Sequence, residues 1–174
     1  EDPVRMLRAA RFAAKLDFTI EESALAAIAK CRKLLAQIPP ARMFDEVLKL
    51  LLGGQGEPTF AVMDHLGLFE PIFPQTARAL REGPEERNLI VHALRNSDER
   101  IAQGKPVTPA FLYAALLWPA LERRLRQLEA REKMPPTVAM HEAATEGVTE
   151  QCRNTTIPRR FSTPMREIWD LLQR

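Results

Sequence analysis

Glu1-Asp2-Pro3-Val4-Arg5-Met6-Leu7-Arg8-Ala9-Ala10-Arg11-Phe12-Ala13-Ala14-Lys15-Leu16-Asp17-Phe18 is the stretch from which the fold can be read. At 100° per residue, Glu1, Arg5, Arg8, Arg11 and Lys15 fall on one broad face, with Asp2 at its edge. Met6, Leu7, Ala10, Ala13 and Ala14 occupy the other side, so residues 2–16 read as an amphipathic helix. Asp2-Pro3 suits a helix start, where an acid and an early proline are both favoured. The polar face is an acidic pair followed by an arginine ladder at spacings of three. Such a face is ordinarily a solvated surface. Arg also offers paired planar donors and Asp paired acceptors, and together these can imitate the hydrogen-bonding edge of a base.

The same helical spacing continues outward and no β alternation interrupts it. Thr19 and Glu22 form a capping box opening a second helix, which runs to about Gln37 and stops at Ile38-Pro39-Pro40. A third starts near Ala41 and ends at Gly53-Gly54-Gln55-Gly56. A fourth follows Glu57-Pro58 and runs to about Leu66. Leu68-Phe69-Glu70-Pro71-Ile72-Phe73-Pro74 reads as an apolar turn. Further helices are expected from Pro84 to near Gly104, from Thr108-Pro109 through Arg131 with a bend at Pro119, over 138–153 and over 165–173. The expectation is an all-α chain of eight to nine helices with short connections.

Composition agrees. Of 174 residues, 45% are hydrophobic but only 6% aromatic, so the core must rest on Leu, Ala, Ile and Val. The apolar run Ala110–Ala120 is too short for a membrane span. Cys31 and Cys152 lack a Cys-x-x-Cys partner and point to a reduced, cytoplasmic setting. A net charge of +2 does not announce nucleic acid, so the distribution of basic residues must decide.

The opening segment resembles the Glu-Asp-x-x-Arg segment of class II nucleotidyltransferases, and its continuation Arg-x-x-Arg-Phe-Ala-x-x-Leu-x-Phe is similar to theirs too. Ile38 to Leu51 is similar to the next motif of the same neck domain, an Arg followed four residues later by Glu and then Lys-Leu-Leu. Ile157-Pro158-Arg159-Arg160-Phe161-Ser162-Thr163-Pro164-Met165-Arg166-Glu167-Ile168-Trp169 resembles the arginine-rich C-terminal region of bacterial poly(A) polymerases, as Leu68–Pro74 resembles a body segment. The resemblance implies helical neck and body domains, divided here as 1–55 for base recognition, 56–120 as RNA-binding body and 121–174 as arginine-rich C-terminal region.

It further implies that Asp2 and Arg5 present hydrogen-bonding groups to the base of ATP, that Glu1 orients Arg5, and that Arg8 helps position the nucleotide. Arg42 would touch the pocket that it braces with Glu46, to which it can pair one turn away. Arg11, Lys15, Arg153, Arg159, Arg160 and Arg166 are the candidate RNA-binding residues. Phe161 and Trp169 are expected in the core, since large aromatics are mostly buried. Arg123, Arg124, Arg126, Arg131 and Lys133, interleaved with acids, read as a solvated helix face.

The family's phosphoryl transfer needs two metal ions on an Asp-x-Asp head. Nothing here matches that head: no catalytic residue is assigned, no metal ligand is expected, and His65, His92 and His141 are isolated. ATP is the expected substrate, with Mg2+ bound by a head domain preceding Glu1. This piece alone is then expected to be inactive as a polynucleotide adenylyltransferase. RNA 3′ ends are the implied partner, with RNA-decay or helicase proteins as candidates beyond them. The close alternative is the neck and body of a CCA-adding tRNA nucleotidyltransferase. A different class is a non-catalytic helical RNA-binding or scaffold module.

Overall fold

The computed structural model describes residues 2–174, and its described residues form nine α-helices with no strand. They are α1 (Val4–Leu16), α2 (Glu22–Cys31), α3 (Pro40–Leu51), α4 (Gly56–His65), α5 (Pro74–Glu82), α6 (Arg87–Ala102), α7 (Pro109–Ala130), α8 (Pro136–Gln151) and α9 (Ser162–Gln173). Helix α1 buries Val4, Leu7 and Ala10 completely, a stripe at spacings of three, and packs on α3 and α4. It stops without glycine: Asp17 adopts the left-handed conformation, φ 53°, and the amide of Phe18 returns to the Ala13 carbonyl. Asp is one of the few residues that tolerate this geometry.

Two expected elements differ from those observed. The second helix does not use Thr19 as its cap; α2 begins at Glu22, and its last part, Arg32–Gln37, tightens into a 3-10 segment. Only Ile28 of α2 is buried, so little packing holds that stretch to regular α geometry. Helix α5 was not foreseen. Pro74 stands in its first turn, where its fixed φ and missing N–H cost nothing. Its buried face is Thr76, Ala79 and Leu80.

Helix α7 is the axis of the molecule, touching α5, α6, α8 and α9. Pro119 lies inside it, where proline removes the bond to the carbonyl four residues back and loosens that turn. Two side chains donate into the same stretch. The Thr76 hydroxyl reaches the Leu116 carbonyl at 2.7 Å, and the Trp169 indole N–H reaches the Ala114 carbonyl at 2.9 Å.

The turn Leu68–Pro74 is buried rather than exposed, with Leu68, Phe69, Ile72 and Phe73 at 1% exposure or less. Its rings begin a ladder: Phe69 stacks on Phe73, Phe73 meets Tyr113, Tyr113 stacks on Phe44, and Phe44 on Phe161. One apolar core thus runs from Val4 in α1 to Trp169 in α9. Asp98 of α6 accepts from the amides of Gly56 and Glu57, at 2.7 and 3.0 Å, satisfying two orphan donors at the start of α4. Both cysteines are free thiols, and among the described residues no helix is long and apolar enough to cross a membrane.

Candidate nucleic-acid interface

Burial of Val4, Leu7 and Ala10 turns the other face of α1 outward, so Asp2, Arg5 and Arg8 are exposed along one side of its first turns. Asp2 is held from two directions. One carboxylate oxygen accepts from the Val4 amide at 3.1 Å; the other accepts from Nη2 of Arg42 at 2.6 Å. These contacts hold the Asp2 carboxyl below its ordinary value of 3.8, first through the Arg42 hydrogen bond and then through the Val4 amide. The positive charge of Arg8 adds to the effect. Glu1 lies outside the described residues, so its expected role in orienting Arg5 has no structural counterpart here.

The expected pairing of Arg42 with Glu46 is replaced by a longer-range one. Arg42 reaches across to Asp2, forty residues away in sequence. Glu46 points inward at 7% exposure and lies 3.7 Å from the Lys49 ammonium. The reason is geometric. The face of α3 carrying Met43, Glu46, Val47 and Leu50 is buried, whereas Arg42 remains exposed beside the start of α1. Arg42 therefore bears on the exposed face of α1 through Asp2.

The Asp2–Arg42 contact carries a pH dependence whose sign follows from the lowered pKa. A depressed carboxylate contributes its interaction fully above the unfolded value and loses it as pH falls through the folded one. The contact is therefore expected to be intact at neutral pH and to release only below about 3.8. A carbon-detected NMR titration of the Asp2 carboxyl would check this; a midpoint at or above 3.8 would contradict the geometry.

Further along α1, Arg11 is half-buried and Lys15 exposed. They border a concavity of about 250 Å³ together with Lys49, Leu50, Gly53 and Gln55. Lys49 and Gln55 were not among the expected site residues. The signal was present in the Lys-Leu-Leu motif and the glycine-rich stop after it, but only the packing of α1 on α3 brings them beside Arg11 and Lys15.

At the other end of the chain the four expected arginines are treated differently. Arg159 and Arg160 are exposed in a 3-10 turn before α9, without an acidic partner among the described residues, and Arg160 lies 4.6 Å over the Phe161 ring. Arg153 pairs with Glu150 at 3.2 Å. Arg166 is engaged with α8, donating to the Thr145 hydroxyl at 3.1 Å and lying 3.4 Å from Nδ1 of His141. Phe161 packs on Phe44 and Trp169 is fully buried, so both serve the core as expected.

A concavity of about 630 Å³ between α5, α7 and α8 holds Arg123 and Arg124, but both guanidiniums are spoken for. Arg123 bonds Glu82, and Arg124 bonds Glu146 at 2.7 Å. Arg126 pairs with Glu122 at 2.8 Å, so this group forms the ion-paired helix surface its alternating charges implied. Among the described residues no cluster of three or more His, Cys, Asp or Glu could hold a metal ion.

The family described as the probable RNA- and SrmB-binding site of polymerase A matches residues 17–80, and that described as the polymerase A arginine-rich C-terminus matches residues 132–174. Poly(A) polymerase I of Salmonella typhi is 39% identical over 173 residues, which is 98% of this chain and 37% of that relative. Poly(A) polymerase I of Haemophilus influenzae is 40% identical over 173 residues, 98% of this chain and 38% of that protein. The chain thus spans little more than a third of the length of these relatives. A CCA-adding enzyme of Enterococcus faecalis is 53% identical over a shorter stretch of 53 residues, 30% of this chain and 13% of that enzyme.

Proposed function

Because this chain belongs to the bacterial poly(A) polymerase family, we propose that it supplies the base-selecting and RNA-binding part of an enzyme that adds AMP from ATP, without a template, to RNA 3′ ends. The observation that carries the reading is the clamped Asp2 carboxylate, set beside the exposed Arg5 and Arg8 at the start of α1. A carboxylate fixed by two donors keeps a defined acceptor geometry, and Arg5 beside it offers planar donors. Adenine would be chosen because a wrong base leaves some of these groups unpaired. Arg42 is the positioning residue for this template, and Glu46, buried beneath it, braces α3.

Roles divide along the chain in this reading. Residues 1–55 read the base, 56–120 form an RNA-binding body and 121–174 present the arginine-rich surface, with Arg153, Arg159, Arg160 and Arg166 toward RNA phosphates. Helix α7 runs through position 120, so the last division is one of surface roles rather than of separately folded units. In this reading Mg2+ is held by another part of the enzyme, the chain spanning 37% of its Salmonella typhi relative. On that assignment the chain by itself transfers no nucleotide, and a cytoplasmic setting accompanies the reading.

The test is nucleotide incorporation by the whole enzyme, offered ATP, CTP, GTP and UTP separately with an unstructured RNA primer. A long tail from ATP alone is expected. Incorporation of CTP and then ATP confined to tRNA ends would instead establish the CCA-adding reading, for which the support is the short match to the Enterococcus faecalis enzyme over 30% of the chain.

A further inference from the structure

Three basic side chains from two helices converge on the concavity between α1 and α3. Arg11 and Lys15 come from the third and last turns of α1, and Lys49 from the last turn of α3. Arg11 and Lys15 have no acidic partner among the described residues, and Lys49 has only the long contact to the inward-facing Glu46. Gln55 adds a neutral amide, and no aromatic ring lines the cavity. The exposed Phe12 ring lies 5.4 Å from the Arg11 guanidinium but outside the cavity, and a lining of donors alone suits a phosphate group rather than a base.

Helix dipoles explain part of this placement. Lysines in the last turn of a helix offset the partial negative charge there, which accounts for Lys15 and Lys49 singly. It does not account for Arg11, which stands more than a turn before the end of α1, nor for three cations facing one cavity. Position along α1 bears on which phosphate is bound. Arg11 lies nine residues beyond Asp2 and Lys15 thirteen, roughly 14 and 20 Å along the helix axis. The cavity is thus set well back from a base read at Asp2.

We infer that Arg11, Lys15 and Lys49, with Gln55, form a single subsite for one phosphodiester of the RNA backbone, which therefore runs along α1 away from the nucleotide-reading end. The inference rests on the proposed function and adds Lys49 and Gln55 to its RNA-binding residues. Neutralising one phosphate of a single strand contributes about 0.7 to the slope of log affinity against log salt. The three cations thus contribute about 0.7 together if they share one phosphate, and about 2 if they hold three.

The experiment is fluorescence anisotropy of the full chain with a labelled oligoadenylate across a salt series, with ATP as competitor. The variant Arg11→Gln/Lys15→Gln/Lys49→Gln should bind more weakly at low salt, with a slope smaller by about 0.7. Lys49→Arg should keep the unmodified slope. A melting curve for each variant separates loss of fold from loss of binding. An unchanged slope in a folded triple variant overturns the subsite and leaves the RNA reading intact. A slope smaller by about 2 overturns the sharing of one phosphate. A triple variant that loses competition by ATP as strongly as affinity for RNA moves the cavity to the triphosphate and overturns the backbone assignment. Failure of the unmodified chain to bind oligoadenylate overturns the RNA reading and the subsite with it.

Discussion

Replacing Trp169 by Ala should destabilise the chain by about 3–5 kcal/mol, the range for truncating a large aromatic in a packed core. Trp169 is fully buried where α9 meets α7, and its indole N–H satisfies the Ala114 carbonyl. Truncation removes the apolar area, opens a cavity and takes away the second donor that the Ala114 carbonyl has beside the helical amide four residues on. Trp169→Phe separates these effects. The ring is largely kept, so the remaining loss reports chiefly the indole hydrogen bond and should be about 0.5–1.5 kcal/mol. Chemical denaturation would measure both, with the midpoint falling and the slope unchanged. A loss below about 1 kcal/mol for Trp169→Ala would contradict the packing described here. The consequence reaches the surface: Arg159, Arg160 and Arg166 are carried by the segment that Trp169 docks, so RNA binding should weaken in step with the folded fraction.

The second large effect concerns Arg42. In the whole enzyme, Arg42→Ala should lower the preference for ATP over the other nucleotides, read as the ratio of kcat/KM values. The size expected is on the order of tenfold to hundredfold, because small misplacements of a template group carry penalties of that scale. The fold should hardly notice, since the Arg42–Asp2 pair is largely exposed and such pairs add little stability. Arg42→Lys should restore only part of the selectivity, a point charge lacking the planar fork of the guanidinium. A double-mutant cycle tells positioning from direct contact. If Arg42 acts through Asp2, adding Asp2→Asn to Arg42→Ala should cost little more than either change alone. Full additivity would assign Arg42 a contact of its own with the nucleotide, and unchanged selectivity in Arg42→Ala would remove it from the template.

Much of this molecule is legible from local chemistry. The 3.6-residue period of α1, the glycine stop after α3, the Thr108-Pro109 start of α7 and the apolar turn before Pro74 each depend on residues within one or two turns. The Thr108 hydroxyl does cap α7, accepting from the Phe111 amide. The expected core positions of Phe161 and Trp169 follow equally from the cost of exposing a large ring. Helix α5 escaped because it is only nine residues long and its first residue, Pro74, reads in the sequence as the end of the apolar turn.

What the amino-acid order determined by itself was the all-α class, most of the turns, and the resemblance of the opening and closing segments to one family. What only the tertiary structure decided was which charges meet. Arg42 could reach Glu46 along its own helix, yet burial of the α3 face turns Glu46 inward and leaves Arg42 to Asp2. Lys49 belongs to α3, yet helix packing sets it beside Arg11 and Lys15. Arg153 and Arg166 share a basic label with Arg159 and Arg160, but contacts with α8 engage the first two and leave the others facing solvent. The physical reason is common to all three: helix periodicity says which side a residue is on, and long-range packing says what stands opposite it.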